Sequence, residues 1–212
     1  MTAEERDVDR RWVLGTVGIA TVGLAGCLGG SEDRDGTSGG GDENGAEDGD
    51  SNDEQLLLEP VDFPEDDDEG TCAVCNMVAA EYPDWNAQLV HDDGHREYLC
   101  SNGCLMAYQF APETFTSGDP AASIAGVWAT CFQSGELIDA TEASFVYEQN
   151  RERHSFPMPM GSPLAFSNRE DAVSYVDEYD ELTEDDHIFG LDAVDREIAA
   201  TYREPRLEEM NS

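Results

Sequence analysis

Lysine is absent. The 212-residue chain sets 48 Asp and Glu against 11 basic residues, and all eleven are arginine. Phosphate binding needs clusters of Lys and Arg, so the composition excludes nucleic acid and anionic headgroups as partners for this surface. The acidic excess runs along the whole chain, not only through residues 31–69. It reads as adaptation to very high salt, where screening is nearly complete and carboxylates keep a surface solvated. Long apolar runs are missing too. The stretch from Trp12 to Ala25 has 14 residues, short of the roughly 20 that span a bilayer as a helix. There is no Ser/His/Asp set, phosphate loop or nucleotide fingerprint, and carboxylates are too numerous for any one acid–base pair to stand out. Nothing in the sequence argues for an enzyme.

The chain does carry an address. Arg10 and Arg11 stand directly before that short apolar run, which holds Gly15, Gly18 and Gly23. Asp9-Arg10-Arg11-Trp12-Val13-Leu14 resembles a twin-arginine export signal, a route for folded proteins. Leu24-Ala25-Gly26-Cys27 reads as a lipobox: residues 1–26 are removed and Cys27 bears the lipid, anchoring the protein on the outer face of the cell membrane. Residues 27–55 then form an acidic, Gly-rich tether with almost nothing apolar to bury. Its 28 residues after Cys27 span about 30 Å as a flexible coil. A single domain is expected over 56–205, with 206–212 as a tail.

Within that domain the pattern predicts a Cys-rich turn over 71–77, a strand over 85–91, a hairpin turn at Asp92-Asp93-Gly94 and a return strand over 96–100. Ser101 or Asn102 caps a helix ending at Phe110, before Pro112. Strands follow over 124–132, 145–149 and 163–166. A capping box at Ser167–Glu170 opens a helix to Tyr179, and residues 191–202 read as a last amphipathic helix. Leu99-Cys100-Ser101-Asn102 parallels Ala165-Phe166-Ser167-Asn168, each with a Tyr on the following helix (Tyr108, Tyr175). The expected fold class is therefore α+β, two related small β-β-α halves forming one domain.

Soft ligands carry the chemistry. Cys72-x-x-Cys75-x-Met77 offers two thiolates and a thioether to one point, a set that suits Cu(I). Three other uses of the cysteines stay open: a redox pair, structural disulfides, or a zinc site of Cys72, Cys75, Cys100 and Cys104 with Cys-x2-Cys and Cys-x3-Cys spacing. Cys131, on an apolar strand, reads as a buried small hydrophobe. His91 and His95 flank a hairpin and read as solvated, His154 is a nearer nitrogen donor to the methionines, and His187 reads as surface. In Pro157-Met158-Pro159-Met160-Gly161 the prolines stiffen a loop that presents Met158 and Met160 with little entropy to lose.

Cys72-Ala-Val-Cys75-Asn-Met77, Tyr82-Pro83-Asp84-Trp85-Asn86-Ala87-Gln88, and Pro159-Met160-Gly161 with Pro163-Leu164-Ala165-Phe166 together resemble the NosL family of nitrous-oxide reductase accessory lipoproteins, over about residues 70–180. The resemblance implies a fold like organomercurial lyase and an extracytoplasmic copper chaperone. It further implies binding of Cu(I) and its supply for the copper–sulfide centre of nitrous-oxide reductase, with that enzyme or its membrane assembly complex as partner. Asn76 stands where the family usually has Gly, and Asn tolerates the same left-handed turn. Tyr98-Leu99-Cys100-Ser101-Asn102-Gly103-Cys104-Leu105 resembles the TRASH or YHS metal-handling domains. That likeness keeps a second function class in view, a zinc-locked docking module.

Overall fold

The computed structural model of the chain describes residues 59–66 and 69–209. The export signal, the lipid site at Cys27 and the tether of 27–55 lie outside the described residues, as do 210–212. No helix among the described residues is long and apolar enough to cross a membrane.

The fold is α+β. Its first sheet holds β1 (Ala87–His91), β2 (Arg96–Leu99), β3 (Ile124–Thr130) and β4 (Leu137–Asp139), in the order β2-β1-β3-β4, antiparallel throughout. All five residues of β1 are buried, because this strand sits in the middle of the sheet. Between β2 and β3 run helix α1 (Asn102–Phe110) and the short α2 (Pro112–Phe115). The second sheet has β5 (Ser144–Val146) between β6 (Leu164–Phe166) and β7 (Ile188–Phe189), again antiparallel. Helix α3 (Arg169–Val176) packs on β5 and β6, and α4 (Glu184–His187) leads into β7. The last helix, α5 (Arg196–Glu209), lies along α1. The two sheets meet where β3 ends: Cys131 bridges Ala165 in parallel, and the Phe132 N–H donates to the Ala165 carbonyl at 2.8 Å. A sheet-and-helix unit in each half is compatible with the expected pair.

Several boundaries moved for local reasons. Trp85 and Asn86 fall before β1, because their N–H groups close a turn on the Tyr82 carbonyl, each at 2.9 Å. The short β4 was not anticipated. The cap of α3 is Asn168, not Ser167, its side chain accepting from the Asp171 N–H. That helix gives way to a tighter turn at 177–179, where Glu178 and Tyr179 donate three residues back. Residues 191–193 form a separate 3-10 turn, so the last helix starts at Arg196. It also runs past residue 205, where the domain was expected to end: Leu207 is 2% exposed. Pro205 lacks an N–H and is tolerated only in a first helical turn. The helix accordingly breaks at Arg203 (φ −141°, ψ 33°) and restarts.

Candidate metal centre

Two stretches of chain build the centre. In the first, Thr71 and Val78 pair across a tight knuckle, the Cys72 N–H donates to the Met77 carbonyl (2.7 Å), and the Asn76 N–H donates to the Cys72 carbonyl (2.9 Å). Asn76 takes the left-handed conformation this needs, φ 63°, the role expected of it. The knuckle is pinned to the end of β2: Cys72 bridges Tyr98, and the Ala73 N–H donates to the Tyr98 carbonyl at 3.0 Å. Cys100 follows two residues later. In the second stretch Ser101 caps α1, its hydroxyl accepting from the Cys104 N–H, and the first helical turn brings Cys104 back beside Cys100.

The result is four sulfurs at one point. The thiols of Cys72, Cys75, Cys100 and Cys104 all lie within 4.8 Å of one another. Cys75 and Cys100 are 3.3 Å apart, Cys100 and Cys104 3.7 Å. A tetrahedral ion with metal–sulfur bonds near 2.3 Å sets its sulfurs about 3.8 Å apart, so the donor set fits a four-coordinate thiophilic metal. Cys72, Cys100 and Cys104 are wholly buried, while Cys75 is half-buried. Cys131, the fifth described cysteine, is buried elsewhere at the end of β3, as expected for a small apolar side chain.

A buried arginine completes the surroundings. Arg203, at the break in α5, is 2% exposed. Its Nε donates to Cys104 Sγ (2.9 Å), its Nη2 to Ser101 Oγ (2.6 Å) and its Nη1 to the Tyr202 carbonyl (2.6 Å). Gly103 leaves the room it needs, since an added Cβ there would stand 3.1 Å from both terminal nitrogens. Burial alone would raise the Cys104 thiol. Hydrogen bonds from the other three thiols and the Arg203 charge instead bring it well below the usual thiol range. Cys72 and Cys100 are pushed the other way, chiefly by hydrogen bonds to Cys100 and Cys104 respectively. One cluster cannot carry four uncompensated negative charges, and the first settles next to the guanidinium.

The methionines fall in two places. Met77 is half-buried against the core that contains the thiols. Met160, 44% exposed, lines an open groove of about 630 Å³ with Tyr147, Gln149, Glu197, Thr201 and Glu204, and none of the four cysteines lines it. Met158 is half-buried, its carbonyl accepting from the Gly161 N–H at 3.2 Å. The Met160 loop is nonetheless tied to the centre. Asn102 Nδ2 donates to the Pro163 carbonyl (3.1 Å), and the Gly103 N–H donates to Ser162 Oγ (3.2 Å). Residues 101–104 thus hold Arg203 and a thiol with the outer pair and the methionine loop with the inner pair.

The histidines offer less than their positions suggested. His91, read as solvated, is 2% exposed. Its Nδ1 donates to the Ala122 carbonyl (3.1 Å), and its Nε2 accepts from the Tyr108 hydroxyl (2.8 Å), because β1 is covered on both faces. His95 bonds Glu97 and Ser117, each at 3.0 Å. His154 Nε2 stands 2.6 Å from the Tyr175 hydroxyl, which itself donates to Glu148. That nitrogen therefore carries a proton and is closed to a metal. His187 is half-buried, its Nδ1 accepting from the Thr183 N–H at 3.0 Å. Arg203 was not foreseen: it lies 99 positions from Cys104, and no local pattern marks an arginine for burial.

Fold and donor set together define a small α+β protein with a four-thiol cluster whose chemistry fits a thiophilic metal. A family model described as NosL matches residues 64–183, more than half of the chain, and the chain belongs to the NosL family. Among solved structures, that of the copper chaperone NosL from Shewanella denitrificans is similar over 65% of this chain and 99% of that one, with 19% identity and a TM-score of 0.46. No curated protein matches.

Proposed function

We propose that this chain is a lipid-anchored copper chaperone that holds Cu(I) outside the cytoplasmic membrane and supplies it for the copper–sulfide centre of nitrous-oxide reductase. The observation that carries the reading is the convergence of four thiols, of which one belongs to a half-buried residue, Cys75. Thiolates select soft ions, and a half-buried ligand gives an acceptor's sulfur a place to begin displacing the metal. Family membership supports the cargo. Met160, exposed on a loop held by Asn102 and Gly103, between the cap and the thiol of the same helical turn, supplies a thioether where copper can pass to a partner. Export in the folded state, which Arg10-Arg11 implies, lets buried thiols fill before they leave the reducing cytoplasm. The Cys27 lipid and the tether keep the domain near the membrane while leaving it reach. An acidic surface without lysine keeps such a domain soluble in concentrated salt.

One observation favours a second reading. Three of the four sulfurs are wholly buried and Arg203 closes the side of Cys104, an arrangement suited to a zinc ion that stays in place and braces a docking surface. Exchange separates the two. Purified, reduced protein should take up Cu(I) and yield it to a competing chelator within minutes, and a strain lacking the protein should export nitrous-oxide reductase with its copper–sulfide centre unfilled. Cys75→Ser should reproduce that defect. Full nitrous-oxide reduction in the deletion strain at ordinary copper levels would sink the delivery reading, and tightly retained zinc would favour the second.

A further inference from the structure

Accessibility and spacing within the thiol cluster are unequal. Cys75 is half-buried and the least buried of the four, whereas Cys72, Cys100 and Cys104 are each 0% exposed. An oxidant arriving from solvent therefore reaches Cys75 before the other three. The Cys75 sulfur lies 3.3 Å from that of Cys100, closer than the 3.7 Å between Cys100 and Cys104. A disulfide bond is about 2.05 Å long, so closing the first pair takes a sulfur movement of only about 1.3 Å. Cys75 sits at the tip of the knuckle and Cys100 at the end of β2, so the bond would staple the two stretches that build the centre.

We propose that Cys75 and Cys100 are an oxidisable pair, and that a small disulfide converts them to a Cys75–Cys100 bond that ejects the metal. In the first step the Cys75 sulfur attacks one sulfur of the oxidant; the oxidant's S–S bond breaks, a mixed disulfide forms on Cys75, and one thiolate leaves. In the second the Cys100 sulfur attacks Cys75 Sγ and displaces the other half of the oxidant as a second thiolate. Two electrons pass from the protein to the oxidant, which ends as two thiols carrying the protons of Cys75 and Cys100. Cys72 and Cys104 remain reduced, and two thiolates no longer complete a tetrahedral site. The ejection step rests on the metal-binding reading above; the pairing rests on geometry alone.

The test treats reduced full-length chain carrying Cys27→Ser with oxidised glutathione, quenches with N-ethylmaleimide and maps the disulfides by mass spectrometry. The expected product is Cys75–Cys100, preceded by glutathione on Cys75. Cys100→Ser should accumulate that mixed disulfide, Cys72→Ser should still form the bond, and Cys75→Ser should resist oxidation. A first bond between Cys72 and Cys75 or between Cys100 and Cys104, or an unchanged rate in Cys75→Ser, would overturn the proposal. Repeating the reaction on zinc-loaded chain with a chromogenic chelator should release metal in step with the disulfide. A disulfide without metal release would uphold the pair and overturn the ejection step, whereas a chain that takes up no zinc would overturn the metal-binding reading and leave the pair standing.

Discussion

Replacing Arg203 by Met keeps much of the side-chain volume and removes the charge and all three hydrogen bonds to Cys104, Ser101 and Tyr202. A guanidinium whose charge centre lies about 4 Å from a thiolate contributes roughly 4 kcal/mol at an effective dielectric of about 20. That is a ceiling of about 1,000-fold in affinity for any metal that needs the Cys104 thiolate. Removing a group that supports a metal ligand typically costs 10–100-fold, so the expected loss is about 100-fold, read by chelator competition on reduced protein. Stability should fall by about 3–5 kcal/mol, because a carbonyl, a hydroxyl and a thiol are left buried without their donor. Arg203→Lys, which keeps the charge and loses the fork, should recover part of the affinity and less of the stability. A folded Arg203→Met that binds zinc or Cu(I) as tightly as the parent would refute the reasoning and leave the arginine as a packing element.

Met160→Ala should weaken Cu(I) uptake while leaving stability within about 0.5 kcal/mol, since the side chain is 44% exposed and surface changes cost little; an unfolded variant with unchanged copper affinity would show a packing role instead. Gly161→Ala should destabilise by about 1–3 kcal/mol in thermal unfolding, because φ is +85° and the new Cβ would lie 2.8 Å from both Gln149 Cα and the Glu148 carbonyl. Metal affinity should climb with pH: Cys72 and Cys100 hold their protons above the ordinary thiol range and give them up on binding, while the Cys104 thiol is held well below that range by its thiol neighbours and Arg203 and contributes less to the slope. Calorimetry in two buffers of different ionisation heat reads the proton count, and a pH-independent affinity would contradict that assignment.

Much of the fold was legible because its signals are local. Asp92-Asp93-Gly94, Ser101 before α1 and the Pro112 stop each act within a few residues, so the hairpin and the first helix fell close to where the sequence put them. Cys-x2-Cys and Cys-x3-Cys spacing likewise made the four thiols visible, since knuckle and helical turn both return a sulfur to the same side. What escaped depended on distant chain. His91 looks solvated beside its turn, yet β3 and Tyr108 cover it. The short β4 has no alternation long enough to register. Arg203 is invisible because its burial is decided by the approach of α5 to α1, and the proline two residues later marks only that the helix must break there.

The break in the last helix also has a bearing on synthesis. Cys72, Cys75, Cys100 and Cys104 emerge from the ribosome long before Arg203, which follows the last of them by 99 positions. A nascent chain holds every sulfur and lacks the cation that steadies them. Completion of the centre is therefore a late event, and a chain cut short before α5 would present its thiols unshielded, marked for chaperones and proteases by the same residues that serve the finished protein.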